Sequence, residues 1–444
     1  MPFIRILRDF LADRGGNVAI ISAFAIIPLL AIAGGATDIA RHEAYRVQLQ
    51  DGVDRAVLAS ASLAQKRTVE ETVNDYLDTL GFVDEVTVNY TTQKTLNTKQ
   101  VTVTASYPMT TGFLPLIGIN TIMVTASATA VERAQNVEIS LILDISGSMR
   151  EGGTPTRLAR MKPAAKNFID AILTTESKTY TSVSLVPYAG SVNPGAVIMD
   201  GLGVPRQHSY SSCVEFTAAD YGVGMIPFNQ RTQVPHFTLN HQGVTYTGLE
   251  WSWCPYEATS ITYLSNDPAV LKAKVDSMKM HDGTGTAVAM NWGMLLLEPG
   301  AQPLVAQGAA SGIVPTQFAN RPAAFNDSNT MKFIVLMTDG NVSDQYRPTQ
   351  YAYPRPCNGG TTCNTRTQTA SDAVTKMYAV CNRAKSNGVT VFTIGFDVSN
   401  NAAAKTQMSS CASSPSHFYD VSGLDINTAF QSIATAIQKI RLTQ

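Results

Sequence analysis

The chain has 444 residues, which is too long for one ordinary domain and predicts two or three. Its 33 basic and 34 acidic residues leave a formal net charge of -1, and no basic tract of the kind that grips phosphates interrupts the sequence. We therefore expect no nucleic acid among its partners.

Residues 18–36 form an uncharged, apolar segment near the amino terminus. Its length is close to the ~20 residues that an α-helix needs to cross a bilayer. Beyond it, Ala40, Ala44 and Val47 keep the three-to-four spacing of an amphipathic helix. The sequence thus predicts a short tail over 1–16 and one helix over 17–64 that spans a membrane and projects from it. A cleaved signal peptide, cut near Ala33, is the alternative.

Residues 65–133 have the pattern of a small α+β module. Thr68 and Glu71 stand at the spacing of a capping box, which predicts a short helix over 68–80. Segments 86–90, 101–105 and 123–128 then alternate between apolar and polar residues. This alternation is typical of strands in a small antiparallel sheet.

Three oxygen-bearing loops follow in the rest of the chain. Asp144, Ser146 and Ser148 leave the apolar run 139–143, residues 282–286 (Asp-Gly-Thr-Gly-Thr) form a loop before an apolar helix, and Asp339 ends the apolar run 333–338. Loops after parallel strands meet at one edge of a sheet, and a set of oxygens without His or Cys suits a hard cation. The alternative is that Asp144 and its serines only cap the following helix.

From residue 137 onward, predicted strands and helices alternate. This order is typical of an α/β fold with a doubly wound, mostly parallel, Rossmann-like sheet. Three insertions interrupt it, near 190–265, 299–328 and 342–369. We expect the first to be aromatic and β-rich and the second to be irregular. The predicted strands are 137–143, 182–188, 332–338, 389–396 and 418–421, and the predicted helices are 157–173, 267–280, 286–297, 371–386, a short one after 401, and 425–441.

Six cysteines all lie after residue 137, and none stands in a Cys-x-x-Cys spacing. Disulfides are therefore favoured over a zinc site, and they indicate an oxidising compartment for the large domain. Buried free thiols in a cytosolic protein are the alternative. Six cysteines allow 15 pairings, among which proximity in sequence favours Cys213 with Cys254, Cys357 with Cys363, and Cys381 with Cys411.

The three loops resemble the metal-ion-dependent adhesion site of von Willebrand factor A domains, over about residues 137–442. Asp144, Ser146 and Ser148 match the Asp-x-Ser-x-Ser element, Thr284 the threonine and Asp339 the distal aspartate. The resemblance implies a divalent cation, foremost Mg²⁺ with Mn²⁺ or Ca²⁺ as alternatives, bound directly by Asp144 and through water by Asp339. It also implies a protein partner whose Asp or Glu completes the coordination shell.

The amino-terminal region resembles tight-adherence (Flp) pilus assembly proteins of the TadE/TadG type. The resemblance lies in residues 15–20 and 30–41, and the joined von Willebrand A domain makes TadG-like members the nearest kind. Prepilin-like members place a Glu five residues after their cleaved glycine, whereas Ile20 or Ile21 stands there in this chain. A retained anchor is therefore expected, in the bacterial inner membrane, with a cytoplasmic amino terminus and a periplasmic bulk that can reach the surface.

These features predict a metal-dependent protein-binding module of the envelope, with pilus or secretion-system components as partners. None of the six histidines stands in a catalytic motif, and His281, just before the threonine loop, is expected to be a surface residue at a helix end. We therefore predict no enzyme activity. The alternatives are a surface adhesin unconnected with pili, a metal-assisted hydrolase, and a structural subunit whose metal only stabilises the sheet.

Overall fold

The computed structural model describes residues 17–82, 85–95, 97–223, 230–239, 252–349, 364–421 and 425–443. The chain divides into two compact units, 1–134 and 135–444. Each unit buries an apolar core of its own. The cores account for the division, because each set of elements covers its own apolar faces.

The first unit combines two helices with an antiparallel sheet. Helix α1 spans Asn17–Ala61, and among the described residues it is the one helix long and apolar enough to cross a membrane. Its second half packs against the sheet through residues such as Leu49 and Val53. Helix α2, Val69–Leu77, begins at the capping box that its sequence predicts. The strands, in sheet order, are β1 (Thr87–Lys94), β2 (Thr98–Thr110) and β3 (Thr121–Arg133).

The second unit is built on a mixed sheet of six strands. Five of them run parallel, because helical crossovers return the chain to the same edge each time. The sixth, a short strand at one edge, runs antiparallel to its neighbour and was not predicted from the sequence. In sheet order the strands are β11 (Phe418–Val421), β10 (Thr390–Phe396), β7 (Thr330–Thr338), β4 (Asn136–Asp144), β5 (Thr181–Tyr188) and β6 (Thr262–Ser265).

Helices cover both faces of this sheet. Alternate residues of β4 point to opposite faces, so Leu141 joins the core beneath one helix layer while Ser140 donates a hydrogen bond to the Gly293 carbonyl in the other. The first layer holds α3 (Arg157–Ile172), α6 (Pro268–Ser277) and α11 (Ile426–Thr443), and the second holds α7 (Thr286–Leu295), α9 (Ala370–Ser386) and α10 (Ala402–Cys411).

The insertions differ from expectation. In its described residues the first contains the short helices α4 (Ala196–Gly201) and α5 (Asp220–Val223), and β6 is its only strand, so the prediction of a β-rich segment is wrong there. The second is not irregular, since it forms helix α8 (Gln302–Ala310) behind a proline at its first turn. The third contains the paired strands β8 (Gln345–Pro348) and β9 (Asn364–Gln368).

Two disulfides hold the second unit. Cys213 bonds to Cys254 within the first insertion, with their Cα atoms 5.9 Å apart. Cys381 of α9 bonds to Cys411 of α10, with a Cα separation of 5.2 Å. Both pairings agree with those that sequence proximity favours. Cys357 and Cys363, the third expected pair, lie outside the described residues.

Candidate metal centre

The centre forms where two neighbouring parallel strands end. Strand β4 ends at Asp144 and β7 at Thr338, and their register pairs Leu143 with Met337. The loops that follow therefore leave the sheet side by side at its carboxyl edge, which is where α/β sheets bind ligands. This register is what brings Asp144 close to Asp339, 195 positions later in the sequence.

Asp144 is completely buried and accepts three hydrogen bonds. The Ser146 amide donates to its Oδ1 atom at 2.7 Å, and the hydroxyls of Thr338 and Tyr188 donate to Oδ2 at 2.6 and 3.2 Å. Burial nevertheless raises the pKa of this carboxyl above its ordinary value, against the effect of these donors. The pocket thus holds the carboxylate in position but does not fully replace the water it has lost.

The two serines connect Asp144 to Asp339. The hydroxyl oxygens of Ser146 and Ser148 lie 3.1 Å apart, and Ser148 donates to Asp339 Oδ1 at 2.6 Å. Four of the five residues expected to bind the cation therefore form one continuous polar chain across two loops.

Asp339 also contacts a cationic side chain from α3. Arg157 Nη1 lies 3.0 Å from Asp339 Oδ2, and its Nε lies 3.2 Å from Asp397, which Arg160 also contacts at 2.9 Å. Burial and the nearby charge of Asp144 raise the pKa of Asp339 to about 7, although Ser148 and Arg157 both lower it. Two buried carboxylates that repel each other form a site short of positive charge.

The threonine loop is attached to the same edge. The Thr284 amide donates to Ser343 Oγ at 3.0 Å, and the Ser343 amide donates back to the Thr284 carbonyl at 3.1 Å. Thr284 is half-buried. Thr286, two residues later, is completely buried, and its hydroxyl lies 3.4 Å from that of Tyr188. The structure therefore places Thr284 beside the segment after Asp339, and Thr286 in the hydrogen-bond chain behind Asp144.

His281 is not the surface residue that the sequence predicts. Its side chain is completely buried, and its amide donates to the Ile145 carbonyl at 2.8 Å, which joins the threonine loop to the serine loop. Burial, followed by the effect of His236, lowers its pKa to about 3. His281 is therefore a neutral packing residue, and its backbone sets the distance between two of the three loops.

Sequence reasoning missed several residues that shape the centre. Thr338 immediately precedes Asp339 and could have been found from that position alone. Tyr188 ends β5, the strand beside β4, so a parallel register would have pointed to it. No sequence pattern indicates that Arg157 and Asp397 belong to the centre, because their role depends on how α3 and the loop after β10 pack together.

The donor set fits a hard divalent cation. The contributing atoms are carboxylate and hydroxyl oxygens, and in the described parts of the chain no three His, Cys, Asp or Glu side chains gather as a metal-binding group. Carboxylate and hydroxyl oxygens of this kind suit Mg²⁺ or Mn²⁺ and do not suit a soft metal. The raised pKa values of Asp144 and Asp339 indicate the charge that such an ion would balance.

Fold and site together define an α/β protein with a carboxylate-hydroxyl centre at the carboxyl edge of its sheet, preceded in the sequence by a long apolar amino-terminal helix. Residues 16–63 match the family model described as putative Flp pilus-assembly TadE/G-like. No protein of curated function is significantly similar in sequence to this chain.

Solved structures with a similar course of the chain include several pilus proteins. The von Willebrand factor domain of the type V pili tip protein Mfa5 from Porphyromonas gingivalis is 14% identical, with 69% of this chain and 96% of that chain covered and a TM-score of 0.37. The PilB minor pilin from Streptococcus sanguinis is 13% identical, with coverages of 80% and 78% and a TM-score of 0.34.

The pilus adhesin SpaC from Lactobacillus rhamnosus GG, in its open conformation, is 13% identical to this chain. The comparison covers 80% of this chain at a TM-score of 0.35. This chain spans only 34% of the length of that adhesin.

Proposed function

We propose that the protein is a membrane-anchored, metal-dependent binding module of the bacterial envelope that acts in tight-adherence (Flp) pilus assembly. In this proposal residues 137–444 form a doubly wound von Willebrand A-type domain. The observation that carries the proposal is the unbroken polar chain from Asp144 through Ser146 and Ser148 to Asp339. The chain links the ends of two separate strands at the edge where such a domain binds its ligand.

Asp144, Ser146, Ser148 and Thr284 would hold a Mg²⁺ ion, with Asp339 beside them. When bound, the ion would offer an open coordination position to a carboxylate of a partner protein. The residues around the ion would set how strongly it attracts that carboxylate. Serine and threonine hydroxyls carry no charge, and Arg157 already pairs with Asp339, so the site retains an attraction for one further negative group. No step requires a bond to be broken, and the module is not an enzyme in this proposal.

The apolar amino-terminal segment and the disulfides indicate where the protein would lie in the cell envelope. Residues 18–36 would anchor the chain in the inner membrane with the amino terminus in the cytoplasm. The large unit would lie in the periplasm, where its disulfides Cys213–Cys254 and Cys381–Cys411 are stable. The match of residues 16–63 to the pilus-assembly family supports pilus or secretion-system components as partners.

The test uses the full-length chain in detergent, titrated with Mg²⁺ and Mn²⁺ by calorimetry. Asp144→Ala should abolish binding. The matched control is Asp276→Ala, which removes an exposed carboxylate on α6 that pairs only at the surface with Lys166, and it should bind as the wild type does. Equal affinity in Asp144→Ala and the wild type would show that the cation binds elsewhere, and no binding to the wild type would refute the site.

The assembly role is tested separately in the native host. Chromosomal Asp144→Ala should accumulate to wild-type levels in the membrane fraction but fail to support Flp pili, while Asp276→Ala supports them. Normal piliation with Asp144→Ala would separate the metal site from pilus assembly and favour a general adhesin.

A further inference from the structure

The loop between β2 and β3, residues 111–120, carries an exposed apolar surface within the first unit. Its sequence, Thr-Gly-Phe-Leu-Pro-Leu-Ile-Gly-Ile-Asn, contains no charged residue. Four large apolar side chains lie open in a stretch of seven residues, which is unusual for a loop in water. They are Phe113 at 43% exposure, Leu116 at 60%, Ile117 at 60% and Ile119 at 43%.

The loop is fixed against α1 by close packing. Phe113 and Leu114 lie over Gly34 and Gly35, where a Cβ atom on Gly34 would come within 2.2 Å of the Phe113 ring and one on Gly35 within 3.1 Å of Leu114. At position 34 only glycine allows the loop to approach the helix this closely. Both glycines are buried by the loop, although the helix residues before them are mostly exposed.

Asp38 of α1 holds the loop in place. Its carboxylate is completely buried and accepts hydrogen bonds from the amides of Gly112 at 2.9 Å, Phe113 at 2.8 Å and Leu114 at 3.0 Å. A carboxylate that accepts three amides in this way is a strong local attachment. These hydrogen bonds therefore hold the loop at one place along α1.

That position lies beside the apolar part of α1. Gly34 precedes Asp38, the first charged residue after the uncharged segment, by four residues, which is about 6 Å along a helix. If residues 18–36 cross the membrane, the helix surface at Gly34 is inside the hydrocarbon region. Phe113 and Leu114, which pack on that surface, lie at the same depth.

The backbone of the loop is also suited to an environment without water. Lipid cannot satisfy peptide groups, so a segment that enters it must bond its own. Besides the three amides on Asp38, the Thr111 amide bonds to the Asn120 carbonyl at 3.1 Å and the Leu116 amide to Phe113 at 3.1 Å. The amides of Gly118 and Ile119 bond back to Pro115 and Leu114 in the turn Leu114–Ile117.

We propose that residues 112–119 form a second membrane contact, which inserts Phe113, Leu116, Ile117 and Ile119 among the acyl chains of the leaflet at the carboxyl end of the spanning segment. The occupant of this surface is lipid, because the loop is continuous with a helix surface that lipid surrounds and because the amides of residues 111–114, 116, 118 and 119 are already hydrogen-bonded within the unit. The contact would orient the first unit relative to the membrane surface. The inference rests on the proposed membrane anchor.

The experiment uses full-length protein in phosphatidylethanolamine–phosphatidylglycerol vesicles that contain doxyl-labelled phospholipid as quencher. An environment-sensitive fluorophore is attached to Ile117→Cys. Ile32→Cys, an exposed residue of the spanning segment, is the lipid-facing reference. Thr92→Cys, exposed on β1 opposite Val101, is the aqueous reference, about 30 Å along the sheet from the loop. The unsubstituted chain, labelled in parallel without reductant, gives the background.

We expect doxyl lipid to quench the fluorophore at positions 32 and 117 to a similar extent and to leave position 92 bright. When Asp38→Asn is combined with Ile117→Cys, quenching at position 117 should decrease. When Asp38→Asn is combined with Ile32→Cys, quenching at position 32 should persist. Quenching at 32 without quenching at 117 would overturn the inference and leave the anchor intact. A cross-link from position 117 to a second protein, with no lipid quenching, would replace lipid by a protein partner. Absence of quenching at 32 would overturn the anchor and the inference together.

Discussion

The substitution Asp144→Asn separates the electrostatic role of this carboxylate from its role in metal binding. Asparagine keeps an acceptor oxygen for Thr338 and Tyr188, which donate to Oδ2, but presents an amide where Ser146 donates to Oδ1. Loss of that one acceptor costs about 1–3 kcal/mol. Burial raises the pKa of the Asp144 carboxyl group, so its buried negative charge is unfavourable and removal of that charge should stabilise the fold. The two effects oppose each other, so without metal the variant should be within about 2 kcal/mol of wild-type stability.

With metal the two proteins should differ clearly. A ligand at 100 times its dissociation constant stabilises the folded state by about 2.7 kcal/mol. Wild-type protein should gain this free energy of unfolding when Mg²⁺ replaces EDTA, and Asp144→Asn should gain none. For a unit of this size the gain corresponds to a rise of about 5 °C in its unfolding midpoint.

The assay follows tryptophan emission of the full-length chain in detergent during heating. All three tryptophans, at positions 251, 253 and 292, lie in the second unit, so their emission reports that unit and not the membrane helix. Asp276→Asn is the control and should respond to Mg²⁺ as the wild type does. An equal Mg²⁺-induced shift in wild type and Asp144→Asn would refute the assignment of Asp144 as a ligand.

The pH dependence of stability, a glycine contact and the state of the cysteines can each be tested. The folded-state pKa of Asp339 is raised to about 7, so its contribution to stability is present at low pH and is lost as pH rises towards 7. The unfolding midpoint in EDTA should therefore fall over this range in the wild type, and fall less in Asp339→Asn. Mg²⁺ affinity should weaken below pH 7, because protonation of Asp339 competes with the cation. Gly285→Ala would place a Cβ atom 2.2 Å from the Gly190 carbonyl oxygen, so it should destabilise the second unit by about 1–3 kcal/mol in denaturant titration and weaken Mg²⁺ binding, whereas Gly222→Ala, with open space around it, should do neither. Intact-mass measurement after alkylation without reductant should find no free thiol in protein from the native host, and six modified cysteines would place the large unit in the cytosol.

The sequence was sufficient to predict most elements of this fold, because helices and strands leave a local pattern. The capping box at Thr68, the strands on either side of the metal loops and the helices that follow them agree with the structure within a few residues. The failures have local causes as well. The Ala- and Gln-rich composition of 299–328 predicts an irregular segment although a proline starts helix α8 there, and the aromatic composition of the first insertion predicts strands where the described residues form mostly turns and short helices.

Part of that insertion shows why burial could not be assigned to single residues. Trp253 and Phe237 stack at 5.5 Å in a small core with the Cys213–Cys254 disulfide, whereas Tyr210 is exposed. All three are aromatic residues in the same stretch of sequence. Which of them is buried depends on a disulfide and on neighbours that lie far away in the chain.

The sequence by itself was enough to predict candidate cation ligands, because Asp144, Ser146 and Ser148 stand in a short spacing and Asp339 ends a strand of the same kind. It also determined that an uncharged helix precedes them. Only the tertiary structure decided that Arg157 pairs with Asp339, that Tyr188 and Thr338 hold Asp144, and that Phe113 lies against Gly34. The physical reason is the range of the interactions. Spacing and periodicity act between neighbours in the chain, whereas ion pairing, burial and close packing act between residues that only the folded chain brings together.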